Sequence, residues 1–390
     1  MSAIDLDWIS NATSTEEAFE LTARLVAIRS YPGEELAVQQ AVATWFTEQG
    51  LTSEIHEVAP DRPNVIVRIE NGPGPTFLLN GHVDTVLADP GWTCDPWTGR
   101  REGDTFYGLG ACDMKSGVAA TMLATRALAQ HRDAWSGTVL FASVVDEEAY
   151  SIGARALIAD GLQADYCIVT EAAWAGPCLG AFGKYLVRME GTGYAVHASW
   201  PQRGVNAAIE AAKFVATLDA VPIPAHPHIQ GTQTVLSFQA GSAQYVVTTP
   251  AQATVLINRH TVPGETEASV LAAYQAHAEA LGSAAAFSFT IDPPYYPSWE
   301  IDADHPFVQS FATAYASEAG TPPTYTHMGF GDMNLFATEA GIPTITFGPR
   351  GDNFHSADEL VDLPSIAATT RVLLRTVAEV MPPVPGSAGE

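Results

Sequence analysis

The stretch TFLLNGHVDTV, residues 76–86, decides the fold. Its first five residues are almost wholly apolar and short, the pattern of a strand covered on both faces. That run ends in Gly81, His82 and Asp84. The pattern recurs along the chain. TVLFASVV, 138–145, runs into Asp146, Glu147 and Glu148; YCIV, 166–169, runs into Thr170 and Glu171; PTITF, 343–347, runs into a loop that reaches His355. Helical spacing of apolar residues falls between these runs, at 16–28, 36–48, 118–128 and 365–380, with a short helix beginning at Arg155. A strand is also expected over 64–70. Buried strands alternating with helices predict an α/β fold whose sheet lies between helices.

The middle of the chain follows another pattern. Strands are expected at 185–190, 234–239 and 253–258, with helices at 205–218 and 268–281. This predicts a small α+β domain, residues 182–292, inserted into a larger one made of 1–181 and 293–390. VPIPAHPH marks a loop within the insert and DPPYYP its exit. The tail MPPVPGSAGE is expected to be disordered. No internal repeat is present in the sequence.

Composition narrows the function. The 390 residues are 47% hydrophobic and 16% charged, which is globular. Lys+Arg 18 against Asp+Glu 44 gives a formal net charge of −26. Such a surface repels phosphate backbones and anionic lipid, so no nucleic-acid or membrane partner is expected, and it attracts cations. Cys94, Cys112, Cys167 and Cys178 form no Cys-x-x-Cys pair and no disulfide framework, which predicts reduced thiols and a cytoplasmic setting. Asp5 and Asp7 stand where a signal peptide would be basic, and no apolar run is long enough to span a bilayer.

Ligands of open α/β sheets bind at the carboxyl ends of strands. Four strands therefore deliver His or carboxylate groups to one edge, namely His82 and Asp84, Asp146, Glu147 and Glu148, Glu171, and His355, and Asp113 joins them from the glycine-rich turn GLGACDMKSG. Imidazole and carboxylate without thiolate suit zinc, with cobalt and manganese as alternatives. Taken singly, Asp113 reads as a helix cap and Glu148 as a solvated loop residue. Taken together, so many carboxylates at one edge would repel each other without a cation.

These segments resemble the superfamily of aminoacylase, acetylornithine deacetylase, succinyl-diaminopimelate desuccinylase and carboxypeptidase G, the di-zinc metallopeptidases. The matching segments are GHVDTV at 81–86, YGLGACDMKSG at 107–117, DEE at 146–148, TEA at 170–172, HAS at 197–199, GIPTITFGP at 341–349 and NFHSADE at 353–359. The resemblance implies a central mixed sheet flanked by helices, with the inserted domain acting as a lid and dimerisation domain. It implies that Asp113 bridges two zinc ions, that His82 and Glu171 complete one ligand set and that Glu148 and His355 complete the other. It also implies a cis peptide after Asp113. Asp84 would accept the imidazole N–H of His82. Glu147 would be the general base for a water shared by the two metals. His197 would stabilise the oxyanion, reaching the site of a partner subunit in a homodimer.

Asn206 matches a further position of the superfamily, and so reads as a substrate ligand or as a polar residue opening a helix. The sequence also departs from the pattern. His260 falls where relatives carry the Arg that holds a substrate carboxylate, Val247 replaces an Asn, and Arg350 stands where Gly is common. Arg259, beside His260, becomes the candidate carboxylate ligand, although strand alternation sends 259 and 260 to opposite faces. His226 and His228 are expected to be solvated loop residues. His327 and Asp332 are read as lining a substrate cleft or as loop polarity, and Cys112 as packing. The expected activity is metal-dependent hydrolysis of an amide bond in an N-acyl amino acid or small peptide. A deacylase is favoured because DMKSG resembles the DMKGG of that branch. The alternatives are an exopeptidase, a di-zinc aminopeptidase with a similar catalytic sheet, and a non-catalytic metal-binding scaffold.

Overall fold

The computed structural model describes residues 7–172, 176–242, 244, 246–327 and 329–383. The tail expected to be disordered lies, from 384 onward, outside the described residues. The chain forms two compact units. One comprises 1–180, 301–326 and 331–390, and the other 181–300 and 327–330.

The larger unit is built on a mixed sheet. Thr76–His82 lies at its centre, parallel to Gly137–Val144 on one side and to Tyr166–Val169 on the other. Thr344–Thr346 continues the sheet in parallel beyond Tyr166–Val169. Arg62–Asn71 pairs antiparallel with the outer side of Gly137–Val144, and Glu54–Ala59 adds a further antiparallel strand. The central strands are buried along nearly their whole length, as their apolar runs require. Helices Ser116–Gln130 and Leu363–Val380 bury most of their residues. The first is rich in Ala and carries Gly117 in its first turn because it must approach closely: a Cβ on Gly117 would lie 2.0 Å from the carbonyl oxygen of Thr170.

The register explains why the polar residues meet. His82 is level with Val144, and Asn80 with Val169. The Thr170 amide donates to the Asn80 carbonyl at 3.0 Å. The chain therefore leaves three adjacent strands at one height, carrying His82, the 146–148 turn and Glu171.

Some elements were not expected from the sequence. Glu54–Ala59 is an edge strand without an apolar run, and Pro306–Ala319 is a helix opened by proline. A small antiparallel sheet joins Arg100–Glu102, Thr105–Tyr107, Leu360–Asp362 and Gly351–Asp352. Its strands are too short to show periodicity.

The smaller unit is a four-stranded antiparallel sheet ordered Thr232–Ala240, Gln252–Thr261, Gly183–Thr192, Ala286–Tyr296. Alternate residues Tyr185, Val187, Met189, Val255 and Ile257 pack on one face with Phe214 and Tyr274 from helices Ala207–Ala216 and Glu267–Ala280. One expectation needs correction. DPPYY is not an exit loop but the end of the Ala286–Tyr296 strand. That strand is at the sheet edge, its register shifts between Asp292 and Tyr296, and the Pro293–Pro294 bond is cis. Prolines are tolerated there because no further strand needs their missing N–H.

Candidate metal centre

Each group of the larger unit's site has a structural reason for its place. Asp113 follows Gly110, whose φ of 76° starts the turn, and the Asp113–Met114 peptide is cis. Glu359, 1% exposed, accepts from the amides of Gly110, Cys112 and Asp113 at 2.8, 2.7 and 2.9 Å. The 146–148 turn is held from the neighbouring strand. Arg62 pairs with both Glu35 and Asp146, and Asn64 accepts from the Val145 amide at 3.2 Å while donating to Gly153 at 2.9 Å. Asp146, at φ 71°, turns the chain sharply, and its carbonyl accepts from the amides of Ala149, Tyr150 and Ser151.

These supports bring together all five expected ligands. His82 Nε2 is 3.3 Å from Asp113 Oδ1 and 3.3 Å from Glu171 Oε1. His355 Nε2 is 3.2 Å from Asp113 Oδ2 and 3.1 Å from each oxygen of Glu148. Asp113 thus offers one carboxylate oxygen to each of two His–Glu pairs. Donors on tetrahedral zinc, with bonds of about 2.0–2.2 Å, sit little more than 3 Å apart, so both triplets have the chemistry and spacing to hold an ion. Glu147 Oε2 lies 3.9 Å from His82 Nε2, beside the triplets without belonging to either.

Electrostatics favour cations. Burial pushes Glu147 well above the usual carboxylate range, with Glu171, Asp332 and Glu148 adding repulsion. Burial and then Asp113 raise Glu171 to about 8 and also raise Glu148. His355 is pushed up to about 10 by its hydrogen bonds to Asp113 and Glu148. Burial opposes charge on His82, yet Glu171, Asp113 and Asp84 hold it well above the ordinary imidazole value. A divalent ion held among these groups would favour their ionised carboxylates and displace protons from them.

Asp84 faces both His82 and the 146–148 turn. The His82 Nδ1 sits 3.0 Å from the Asp84 carbonyl oxygen and 3.5 Å from its carboxylate. The carboxylate also accepts from the amides of Glu147 and Glu148, at 3.2 and 3.0 Å. It therefore orients a ligand and the expected base through their backbone. Sequence reasoning missed the supporting groups Arg62, Glu35 and Glu359. Glu359 stands inside the quoted NFHSADE, where its position four residues after His355 was the available signal. It also missed Gly331: a Cβ there would lie 2.1 Å from Glu147 Oε1, so the GFGDM loop closes directly on Glu147. Asp332 is buried next to it and pushed up to about 7 by that burial.

The expected residues of the smaller unit lie apart from these triplets in the chain. Asn206 caps helix Ala207–Ala216, accepting from Ala208 and Ile209. Arg259 does not serve as an open carboxylate ligand. It is 1% exposed, pairs with Glu265 and donates to the Pro222 carbonyl at 3.1 Å. The alternation of Gln252–Thr261 turns Arg259 inward and puts His260 on the opposite face, 4.3 Å from the Phe182 ring. His197 is exposed and accepts at Nδ1 from the Ser199 amide at 3.2 Å. His226, His228 and His327 are not isolated solvated residues but gather around Glu300. Cys112 is buried and its thiol is pushed far up by that burial, which fits packing.

Two His–Glu pairs that share one aspartate, beside an uncommitted glutamate, form two adjoining candidate metal-binding groups. The chain belongs to peptidase family M20/M25/M40, whose profile matches residues 78–379. It is accordingly a metal-dependent hydrolase of amide bonds. It is similar to the succinyl-diaminopimelate desuccinylase of Methylobacterium radiotolerans, 27% identical across 94% of this chain and 97% of that one. The acetylornithine deacetylase of Vibrio campbellii is 36% identical over 44% of this chain and 45% of its own. Among solved structures, aminopeptidase PepT of Bacillus cereus aligns with a TM-score of 0.77 at 22% identity, covering 95% of this chain and 99% of that one. The YXEP protein of Bacillus subtilis, a dinuclear metal binding peptidase, aligns at 0.73 with 18% identity over 94% of this chain and 98% of that one. At these identities the structural likeness speaks for the fold. No helix among the described residues is long and apolar enough to cross a membrane.

Proposed function

We propose that the protein removes the acyl group from an N-acyl amino acid, using two zinc ions held by His82, Asp113, Glu148, Glu171 and His355. The observation that carries the reading is the split presentation of Asp113, one oxygen to each His–Glu pair. Bound there, the ions would supply Lewis acidity, making a water acidic enough to attack near neutral pH. Glu147 would take the water's proton on its carboxylate and return it to the leaving nitrogen. Asp84 and Glu359 would hold the residues that do this at their stations. The deacylase reading is supported by DMKSG and by the names of the desuccinylase and deacetylase relatives. The second reading, an exopeptidase, is favoured only by the overall fold.

Homodimerisation through the smaller unit is part of the proposal. Its support is exposed apolar area on that unit, with Tyr194, Ile209, Leu236, Phe238 and Val246 each 41–66% exposed. His197, also exposed, would act in the partner's site. A cytoplasmic setting fits the four free cysteines.

The test is turnover of N-acetyl and N-succinyl amino acids and dipeptides with zinc, cobalt or manganese, each with and without a free α-carboxylate. N-acyl substrates should be cleaved fastest. Preference for dipeptides would replace the deacylase reading by the exopeptidase one, and absence of metal-dependent turnover in every arm would overturn both. Mixing His197→Ala with Glu147→Ala chains should restore partial activity, and no recovery in verified mixed dimers would refute action in trans.

A further inference from the structure

The smaller unit contains a second cluster with metal-ligand chemistry, separate in sequence from the five residues above. It draws on three segments: the proline-rich loop carrying His226 and His228, the short strand Trp299–Glu300, and Thr326–His327. His228 Nδ1 is 2.6 Å from Glu300 Oε1, and His327 Nε2 is 3.1 Å from the same oxygen. The His228 and His327 rings stack with centroids 4.6 Å apart. The three donor atoms all lie within 4.8 Å of one another.

We propose that His228, Glu300 and His327 form an additional site for a borderline divalent transition-metal ion, with zinc as the reference case. Two imidazole nitrogens and one carboxylate oxygen are a recurrent zinc donor set, leaving a fourth position for water. A hard cation such as calcium or magnesium would demand more oxygen ligands than the cluster offers.

His226 has a distinct part. Its Nδ1 accepts from the amides of His228 and Ile229, at 3.4 and 3.3 Å. With Nδ1 so occupied, the Nε2–H faces Glu300 Oε2 from 3.4 Å. His226 therefore donates to the second oxygen of the carboxylate and leaves Oε1 for the ion, an orienting role common around metal ligands. The geometry assigns the others to the ion itself. The Glu300 side chain is 24% exposed and that of His327 15%, so the carboxylate is partly withdrawn from water, while the His228 side chain at 53% is the open side through which an ion would enter. Glu300 ends one segment of the smaller unit and His327 begins the other. An ion here would tie those two segment ends to the proline-rich loop.

The experiment counts zinc per chain in the full-length enzyme, equilibrated across a series of buffered free-zinc concentrations. Wild type should take up one equivalent more than His228→Ala or His327→Ala, with amide-bond turnover retained in His228→Ala. In Asp113→Ala, which removes the bridging ligand of the other centre, an equivalent should remain that the added change His327→Ala eliminates. Cobalt in the Asp113→Ala chain should give the visible absorption of a four-coordinate site. His226→Ala should weaken the extra equivalent by about 10–100-fold without removing it. Equal zinc counts in wild type, His228→Ala and His327→Ala, with all three folded by circular dichroism, would refute the site and leave the cluster as ion pairs alone. The result is independent of the deacylase reading, because it is read as metal content and not as activity.

Discussion

The two histidines of the candidate metal centre are held in opposite ways. His82 is 1% exposed at the end of a central strand, flanked by strands on both sides. His355 is 49% exposed in a loop where Asn353, His355 and Asp358 all have φ near +59°. His82 is placed by sheet register, which cannot slip without turning a buried face outward. His355 is placed by local turns such as the Ser356 amide donating to Asn353, and by Glu359 four residues on. One half of the centre belongs to the core, and the other is brought to it by a loop. The ion on the His82 side should therefore be bound more tightly and exchange more slowly.

The largest effect that tests this contrast comes from the residue common to both halves. Asp113→Ala should lose both ions from the centre and all measurable turnover, as read by metal analysis and assay. Retention of one ion there would show that the halves are independent. Glu147→Gln should reduce kcat by about 10²–10⁴-fold while both ions stay bound. Activity kept in that variant would remove Glu147 as the base.

Gly331→Ala comes next. Its φ of 169° is open to any residue, so the effect is steric: the new methyl must displace the Glu147 carboxylate. A marked fall in kcat with unchanged metal content is expected, and normal kcat would show that the loop yields. Glu359→Gln should weaken metal binding by about 10–100-fold, because the carboxylate aligning the Asp113 loop is gone. The smallest effect is in exchange. On stepwise chelation, metal should leave this centre in two phases, and His355→Ala should abolish the earlier one. A single phase in wild type would mean that exposure does not govern release.

Much of the centre was legible in the sequence, because short apolar runs ending in His or carboxylate state both the strand and the end at which ligands gather. Asp113 and Glu147 needed the resemblance, since one acidic side chain in a loop looks like another. The supports were less legible. Arg62 and Glu35 lie in segments with no motif, and their pairing with Asp146 exists only once two elements are packed side by side. Arg259 shows the limit in the other direction: position in the chain suggested a substrate ligand, while burial against Glu265 made it part of the smaller unit's interior.

Sequence alone determined the alternation of buried strands and helices, the donor types and their order, because hydrophobic period and ligand chemistry are properties of residues. Tertiary structure decided which oxygen of Asp113 faces which histidine, what the Asp84 carboxylate holds, and that three histidines separated by as many as a hundred residues converge on Glu300. Those facts depend on register, on turns with positive φ and on close approach at glycine, none of which leaves a periodic trace in the chain.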